Sequence, residues 1–386
     1  MHLSHCFRPA AESAAAFSRP QVRVRAAAVL AAVGLGSTLV ACADEEVAPP
    51  ENTASSSASA TPQTSAAPAA TDRRQLAASL LMPPAVNYDD AREKLEAGAG
   101  GIFIPSWADP NLLTEEGRNI VALREELGRD FKVSIDFEGG RVQRFSEVLG
   151  EFPAPQQMAA DGSPEDVERI GAEIGRVLKA HGINVDFAPV LDVDGGGLEV
   201  VGDRSFSTDP AQAGEYGAAF ARGLESAGVE AVFKHFPGHG RASGDTHLAE
   251  AVTPPLEELY THEFVPFEKA VPAAPGAGLM MSHLAVPGLG DGQTAASINP
   301  AAYKLAREHL HFEGPIYTDD LGGMASIADT MDVPQAVVAA IGAGADMPLW
   351  STDGGFDAAI DAVVAALDDG TLTEEQLQTS ARRLAE

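Results

Sequence analysis

Cysteine is nearly absent from this sequence. Two occur in 386 residues, Cys6 and Cys42. Both precede the part that patterns as globular, so neither a disulfide framework nor a cysteine-based metal site is available there. Basic residues are also scarce: 26 Lys and Arg face 56 Asp and Glu, a formal net charge of −30. Such a surface repels phosphate, which argues against nucleic acid or anionic lipid as partners of the globular surface. The apolar stretch from Ala26 to Val40 has the length of a signal core and is short for a membrane span. No Gly-x-Gly-x-x-Gly turn follows the first strand-like run, which weakens a doubly wound nucleotide-binding sheet. No internal repeat is visible beyond an alternation of elements.

The first 41 residues pattern as a targeting segment. Arg19, Arg23 and Arg25 form a positive region ahead of the apolar core, and Leu39-Val40-Ala41-Cys42 resembles a bacterial lipobox. Small residues before the cysteine suit a signal peptidase, and the Cys42 thiol is the expected site of lipidation. The competing reading is an ordinary secretory signal cleaved near Ala41. The long lead of 1–21 is compatible with a translation start at Val22 or Val24. Residues 42–74 are dominated by Pro, Ala, Ser and Thr without apolar periodicity. Such a stretch cannot bury enough surface to offset chain entropy, and it reads as a disordered tether, open to O-glycosylation. Residues 75–386 read as one catalytic domain.

In that domain strand-like runs alternate with helical patterns. The runs are Leu76–Leu81, Gly101–Ile104, Lys132–Ile135, Asn184–Ala188, Glu230–Phe233, Leu279–Ser282, Pro315–Thr318 and Asp346–Leu349. Amphipathic stretches lie at Glu115–Leu127, Pro164–Ala180, Pro210–Ala227, Leu256–Val271 and Pro334–Ala343, with closing helices at Phe356–Leu367 and Thr373–Leu384. Eight strands alternating with helices predict a single (β/α)8 barrel of the TIM type. A proline at 348 inside the last run is tolerable only at an edge-like or terminal position.

Chemistry-bearing residues follow the strands. Lys234-His235-Phe236-Pro237-Gly238-His239-Gly240 leads into Asp245-Thr246-His247. Three readings compete for this stretch. A metal site could use His235 and His239, four apart, but that spacing needs a helix and Pro237-Gly238 prevents one. A plain hydrogen-bonded loop is the second. A sugar-processing loop is the third: Lys234 and His235 donate to hydroxyls, and Asp245 orients His247 for proton exchange. After the third run comes Asp136-Phe137-Glu138-Gly139-Gly140-Arg141-Val142-Gln143-Arg144, where the glycines free the backbone for a turn carrying charged side chains. Asp186 and Asp192 follow the fourth run and read as braces for arginines. Arg204 offers a planar fork of donors. Thr318-Asp319-Asp320-Leu321 ends the seventh run; adjacent side chains point apart, so one Asp at most faces the site centre and the other suits a cap.

Taken in order, these motifs resemble glycoside hydrolase family 3, specifically its β-N-acetylglucosaminidases, and the resemblance covers 75–386. It implies a (β/α)8 barrel, a retaining exo-acting hydrolysis and no metal or organic cofactor. Asp319 would be the nucleophile, His247 the acid/base and Asp245 its partner. Asp136, Arg144, Arg204, Lys234 and His235 would hold a terminal N-acetylglucosamine. Many members add a second domain that supplies a glutamate as acid/base; here Asp245-x-His247 is expected to fill that role. The implied substrates are peptidoglycan-derived fragments, met by a monomer lipid-anchored on the outer face of the membrane. Phosphorolysis, another β-glycosidase activity and a catalytically inactive sugar-binding lipoprotein remain as alternatives. Phe137 and Asp203 depart from the residues expected at their positions and touch the fit of the sugar more than the chemistry.

Overall fold

The structure is a computed structural model that describes residues 70–194 and 197–385. The targeting segment, Cys42 and nearly all of the expected tether lie outside the described residues. Among the described residues eight strands are formed: β1 (Gly101–Phe103), β2 (Lys132–Ile135), β3 (Phe137–Gly139), β4 (Val142–Gln143), β5 (Val185–Asp186), β6 (Glu230–Phe236), β7 (Gly278–Met281) and β8 (Ile316–Thr318). Six of them make one parallel sheet in the order β1–β2–β5–β6–β7–β8. Parallel single-residue bridges join Pro84 to Phe103, Tyr317 to Met347, and Leu349 to Met82. Two extended segments, around 82–84 and 347–349, thereby link β8 back to β1 and close an eight-membered ring. The (β/α)8 architecture predicted from the alternation is the one observed. β3 and β4 form a separate antiparallel hairpin at the end of β2.

The first barrel position differs from expectation. Leu76–Leu81 is not a strand: Ala70–Ser79 is a helix, and the extended segment begins only at Met82. A short apolar run does not by itself separate a buried strand from a buried helix. Composition decides here, because Arg, Gln, Leu and Ala are strong helix formers and Asp72 complements the N-terminal dipole. The helix includes residues 70–74, which composition had assigned to the tether. Arg73 fixes it by pairing with Asp368 at 2.9 Å and Glu374 at 2.6 Å.

Other boundaries follow local chemistry. Pro164–Ala180 starts at a Ser163–Asp166 capping box, and Val333–Ala343 at an Asp332–Gln335 box. The expected helix 256–271 is split into Leu256–Leu259 and Phe264–Ala273. Pro266 explains the break, since its ring would meet the carbonyl of residue 262 in a continuous helix. Pro348 is accommodated because its segment pairs only through the bridges at Met347 and Leu349, while its carbonyl accepts from the Met82 N–H at 3.1 Å.

The core has two parts. An inner apolar layer fills the ring with side chains from seven of its eight positions, Met82, Phe103, Phe187, Val232, Met280, Tyr317 and Leu349. A larger outer layer lies between the sheet and the helices. One carboxylate ties strand and helix ends together. Asp346 is fully buried, accepts from the Ile316 N–H at 2.9 Å and Ser380 Oγ at 2.8 Å, and pairs with Arg307 at 2.7 Å and Arg383 at 3.1 Å. Truncation leaves two half-buried guanidinium groups without their counter-ion. Asp346→Ala is expected to destabilise the domain by about 3–5 kcal/mol, read as a shift of the urea midpoint, with Asp346→Asn intermediate.

Candidate active site

The site stands at the C-terminal ends of the strands, where the inner core layer stops. Asp136 and Glu138 flank Phe137, so they share one face of the chain while Phe137 turns into the core. The turn after them needs glycine twice: Gly139 and Gly140 hold φ of 93° and 58°. A Cβ on Gly139 would lie 2.3 Å from the Pro153 carbonyl oxygen.

Lys234, near the end of β6, reaches both acids, with Nζ 2.8 Å from Asp136 Oδ1 and 2.7 Å from Glu138 Oε1. Arg204 meets Glu138 in a fork, Nε to Oε2 at 2.8 Å and Nη2 to Oε1 at 2.7 Å. Glu138 is 1 % exposed and Lys234 3 % on their side chains. Burial pushes the Glu138 carboxyl up, but Arg204 and Lys234 outweigh it and hold it well below the usual range. Burial likewise opposes charge on Lys234 and Arg204, and their carboxylate partners reverse it, leaving both raised. Glu138 was not singled out from the sequence, although its two-residue spacing from Asp136 was a usable signal.

His235 lies beside this cluster. Its Nδ1–H donates to Asp192 Oδ2 at 2.6 Å, and Asp192 Oδ1 accepts from the His239 N–H at 2.6 Å. His235 and His239 are thus joined through one carboxylate. Asp192 and Asp186 do brace the site, but they hold a histidine and backbone rather than arginines; Asp186 Oδ1 accepts from the Phe137 N–H at 2.9 Å. Burial raises Asp192, and the adjacent His235 more than offsets it, so its carboxyl is lowered. Gly240 follows in close approach: a Cβ there would lie 1.7 Å from the Val193 carbonyl oxygen.

Asp319 and Asp320 divide as adjacent residues must. Asp320 is occupied by structure: Oδ1 accepts from the N–H groups of Gly322 at 3.0 Å, Gly323 at 2.9 Å and Ser351 at 2.8 Å, and Oδ2 from Ser351 Oγ. It braces the loop rather than capping a helix. Asp319 is tied to β7 by its N–H, which donates to the Met281 carbonyl at 2.9 Å, and its carboxylate lines the cavity. Burial raises Asp319, while His235, His283 and His247 outweigh it and bring its pKa down to about 2. His283 bridges Ser297 Oγ at 2.7 Å and the Asp320 carbonyl at 2.9 Å, fixing the end of β8. Its position at the end of the sixth strand was visible in the sequence, its bracing role was not.

His247 comes from the loop after β6. Its Nδ1–H donates to Asp245 Oδ1 at 2.7 Å, and its backbone N–H to the same oxygen at 2.9 Å. The ring is 58 % exposed. Burial raises Asp245, and bonds from His247 bring its carboxyl down overall.

One cavity of about 400 Å³ gathers every expected site residue of the domain: Asp136, Arg144, Arg204, Lys234, His235, Asp245, His247 and Asp319. Arg144 makes no side-chain ion pair among the described residues, and its guanidinium is available to a ligand. The arrangement supplies an ionised carboxylate, an imidazole with a carboxylate behind it, and a wall of paired charges matched to hydroxyl groups.

Residues 75–386 match the family model of the glycosyl hydrolase family 3 N-terminal domain, and the chain belongs to that family. It is a glycoside hydrolase, with a carbohydrate substrate. It is 41% identical over 293 residues to the beta-hexosaminidase LpqI of Mycobacterium tuberculosis, covering 74% of each chain. A crystal structure of a family 3 glycosyl hydrolase from Mycobacterium smegmatis superposes with a TM-score of 0.78 at 39% identity, over 83% of this chain and 97% of that one. A family 3 beta-N-acetylglucosaminidase from Paenibacillus gives 0.74 at 32% identity, over 81% and 61%.

The lowered Glu138 carboxyl has a consequence for stability. Its folded pKa lies below its ordinary value of 4.5. Its contribution is therefore complete above that value and is lost as pH falls toward the folded pKa. The urea midpoint of the native domain is expected to drop between pH 5 and pH 3. In Glu138→Gln the midpoint at pH 7 should fall, by about 3 kcal/mol in stability, with a flatter acid limb.

Proposed function

We propose that this glycoside hydrolase is a retaining, exo-acting β-N-acetylglucosaminidase that removes terminal N-acetylglucosamine from peptidoglycan-derived fragments. The observation that carries the reading is the meeting of Asp319 and the His247–Asp245 pair on one cavity walled by the Asp136–Glu138–Lys234–Arg204 cluster. The names of the relatives, beta-hexosaminidase and beta-N-acetylglucosaminidase, support the sugar.

In the proposed mechanism a carboxylate oxygen of Asp319 attacks the anomeric carbon as the bond to the leaving oxygen breaks. Protonated His247 gives its Nε2 proton to that oxygen. The glycosyl-aspartate is then opened by water, whose proton returns to His247, and two inversions give net retention. Asp245 fixes the ring through Nδ1 and balances the imidazolium. Lys234, Arg204, Asp136 and His235 hold the sugar hydroxyls, and Arg144 adds an unpaired donor. Phosphorolysis is the second reading. An imidazole, unlike a second carboxylate, does not repel an incoming phosphate, and Arg144 offers it a cation.

The lipobox supports attachment through Cys42 to the outer face of the cell membrane, acting as a monomer on a tether. Cys42→Ala is expected to move the protein from the detergent phase of a phase-partition assay to the aqueous phase; detergent partitioning that survives would overturn the anchor.

The enzymatic test compares an aryl N-acetyl-β-glucosaminide with the matching β-glucoside, with and without phosphate. Turnover should favour the N-acetyl substrate. Asp319→Asn should lose on the order of 10⁴-fold or more in kcat. His247→Ala should lose about 10²–10⁴-fold with a poor leaving group and far less with dinitrophenolate, which departs without a proton. A sugar 1-phosphate product would select phosphorolysis.

A further inference from the structure

The cavity at Asp319 has a second lobe that the proposed roles leave unused. It measures about 260 Å³ and shares Asp136, Arg144, His247 and Asp319 with the first. Its remaining lining differs in kind. Where the first lobe has Glu138, Arg204, Lys234 and His235, the second has Pro105, Trp107, Met280 and Met324 beside the polar Asp320 and Ser351, and no further cation. A glycosidic bond over Asp319 and within reach of His247 has one sugar on each side. The charged lobe suits the residue whose hydroxyls must be gripped. The second suits a ring that is held loosely and then released.

Trp107 is the feature of that lobe that asks for an occupant. Its side chain is among the few large apolar groups on the surface, 47% exposed. No ring contact, cation–π contact or indole hydrogen bond engages it among the described residues. It stands on a fixed turn after β1: the Ala108 N–H donates to the Pro105 carbonyl at 3.1 Å, the Asp109 N–H to the Val86 carbonyl at 2.8 Å, and Ala108 is buried. An aromatic face held rigidly at the rim of a sugar site loses little entropy on binding, and the C–H face of a pyranose is its natural complement.

We propose that Trp107 is the stacking platform for the pyranose ring of the leaving group, and hence a specificity residue for glycosides over small aglycones. This rests on the proposed exo-acting β-N-acetylglucosaminidase reading. Trp107→Ala should lower kcat/KM for a β-1,4-linked N-acetylglucosamine disaccharide about tenfold, the worth of a good aromatic contact, and Trp107→Phe should restore part of it. The β-glycosyl fluoride of N-acetylglucosamine carries no leaving-group ring, and its hydrolysis should be unchanged in both variants. Equal losses on both substrates would overturn the proposal and assign Trp107 to the first sugar, its acetamido group or the local fold. Unchanged rates on both would also overturn it.

A binding readout separates this inference from the activity itself. The chain has two tryptophans, and Trp350 is fully buried with its indole N–H on the Gly354 carbonyl. Acrylamide quenching therefore reports chiefly on Trp107. In Asp319→Asn the intact disaccharide should protect the emission, whereas N-acetylglucosamine alone at saturation should protect it less. Protection without turnover by the native enzyme would sink the hydrolase reading and leave the platform standing. Turnover by the native enzyme without protection in the variant would do the reverse.

Discussion

The site depends on one buried constraint, the packing of Lys234 against Asp136 and Glu138 with Arg204 closing on Glu138 from the other side. Two cations and two anions meet where water is largely excluded. Removing such charges from water is costly, and only close, bonded pairing returns enough to keep Glu138, Lys234 and Arg204 ionised. The pairing also explains the local backbone. β6 has to carry Lys234 and His235 to the mouth of the ring, and its register with β7 shifts between Phe233 and Phe236 as it does so. The hairpin β3–β4 has to present Asp136 and Glu138 opposite them, which the two glycines allow. In the proposed function a sugar would meet donors and acceptors already oriented, so that little reorganisation accompanies binding.

Around that cluster a single device recurs. Of two neighbouring carboxylates, one is committed to structure and one is left to the cavity. Asp320 holds three backbone N–H groups while Asp319 lines the cavity. Glu138 is enclosed by two cations while Asp136 keeps some access to solvent. Asp192 and Asp245 do something different, since each holds a histidine ring, Asp192 that of His235 and Asp245 that of His247. The committed member fixes the position of the other to within a hydrogen bond, the precision that a reacting group needs. His283 serves the same end from β7, since its ring spans Ser297 and the Asp320 carbonyl.

Much of this was legible from the chain. The alternation of runs predicted the barrel, and the polar residues behind strands three, five and seven converge on one cavity. What was not legible depended on partners far apart in sequence. Leu76–Leu81 gave an apolar run without the flanking context that separates helix from strand, so the first barrel position was misplaced by a few residues. Asp192 was expected to brace arginines; only the fold brings His235 and the His239 N–H to it. Glu138 sat in view between Asp136 and two glycines, but its burial is set by Arg204, 66 positions away. Trp107 carried no signal at all in the sequence, since exposure is a property of the surface and not of the run around it.

The two groups assigned to the chemistry differ in burial, and the difference has a chemical sense. A nucleophile must be ionised and aimed before the substrate arrives. Asp319 meets both needs: it begins the loop after β8, is half-buried, and is held at about 2 by surrounding histidines against the effect of desolvation. It does not change charge anywhere near neutral pH. A proton donor and acceptor must change charge twice in each turnover and must reach water in between. His247 stands on a loop, more than half exposed, with one ring nitrogen fixed by Asp245 and the other free for exchange. In the proposed mechanism, then, proton exchange with the leaving oxygen and with water belongs to the His247–Asp245 pair. Under that mechanism the enclosed half of the site sets geometry and the exposed half sets the proton inventory, which would place the acid/base on a loop and the nucleophile at a strand end.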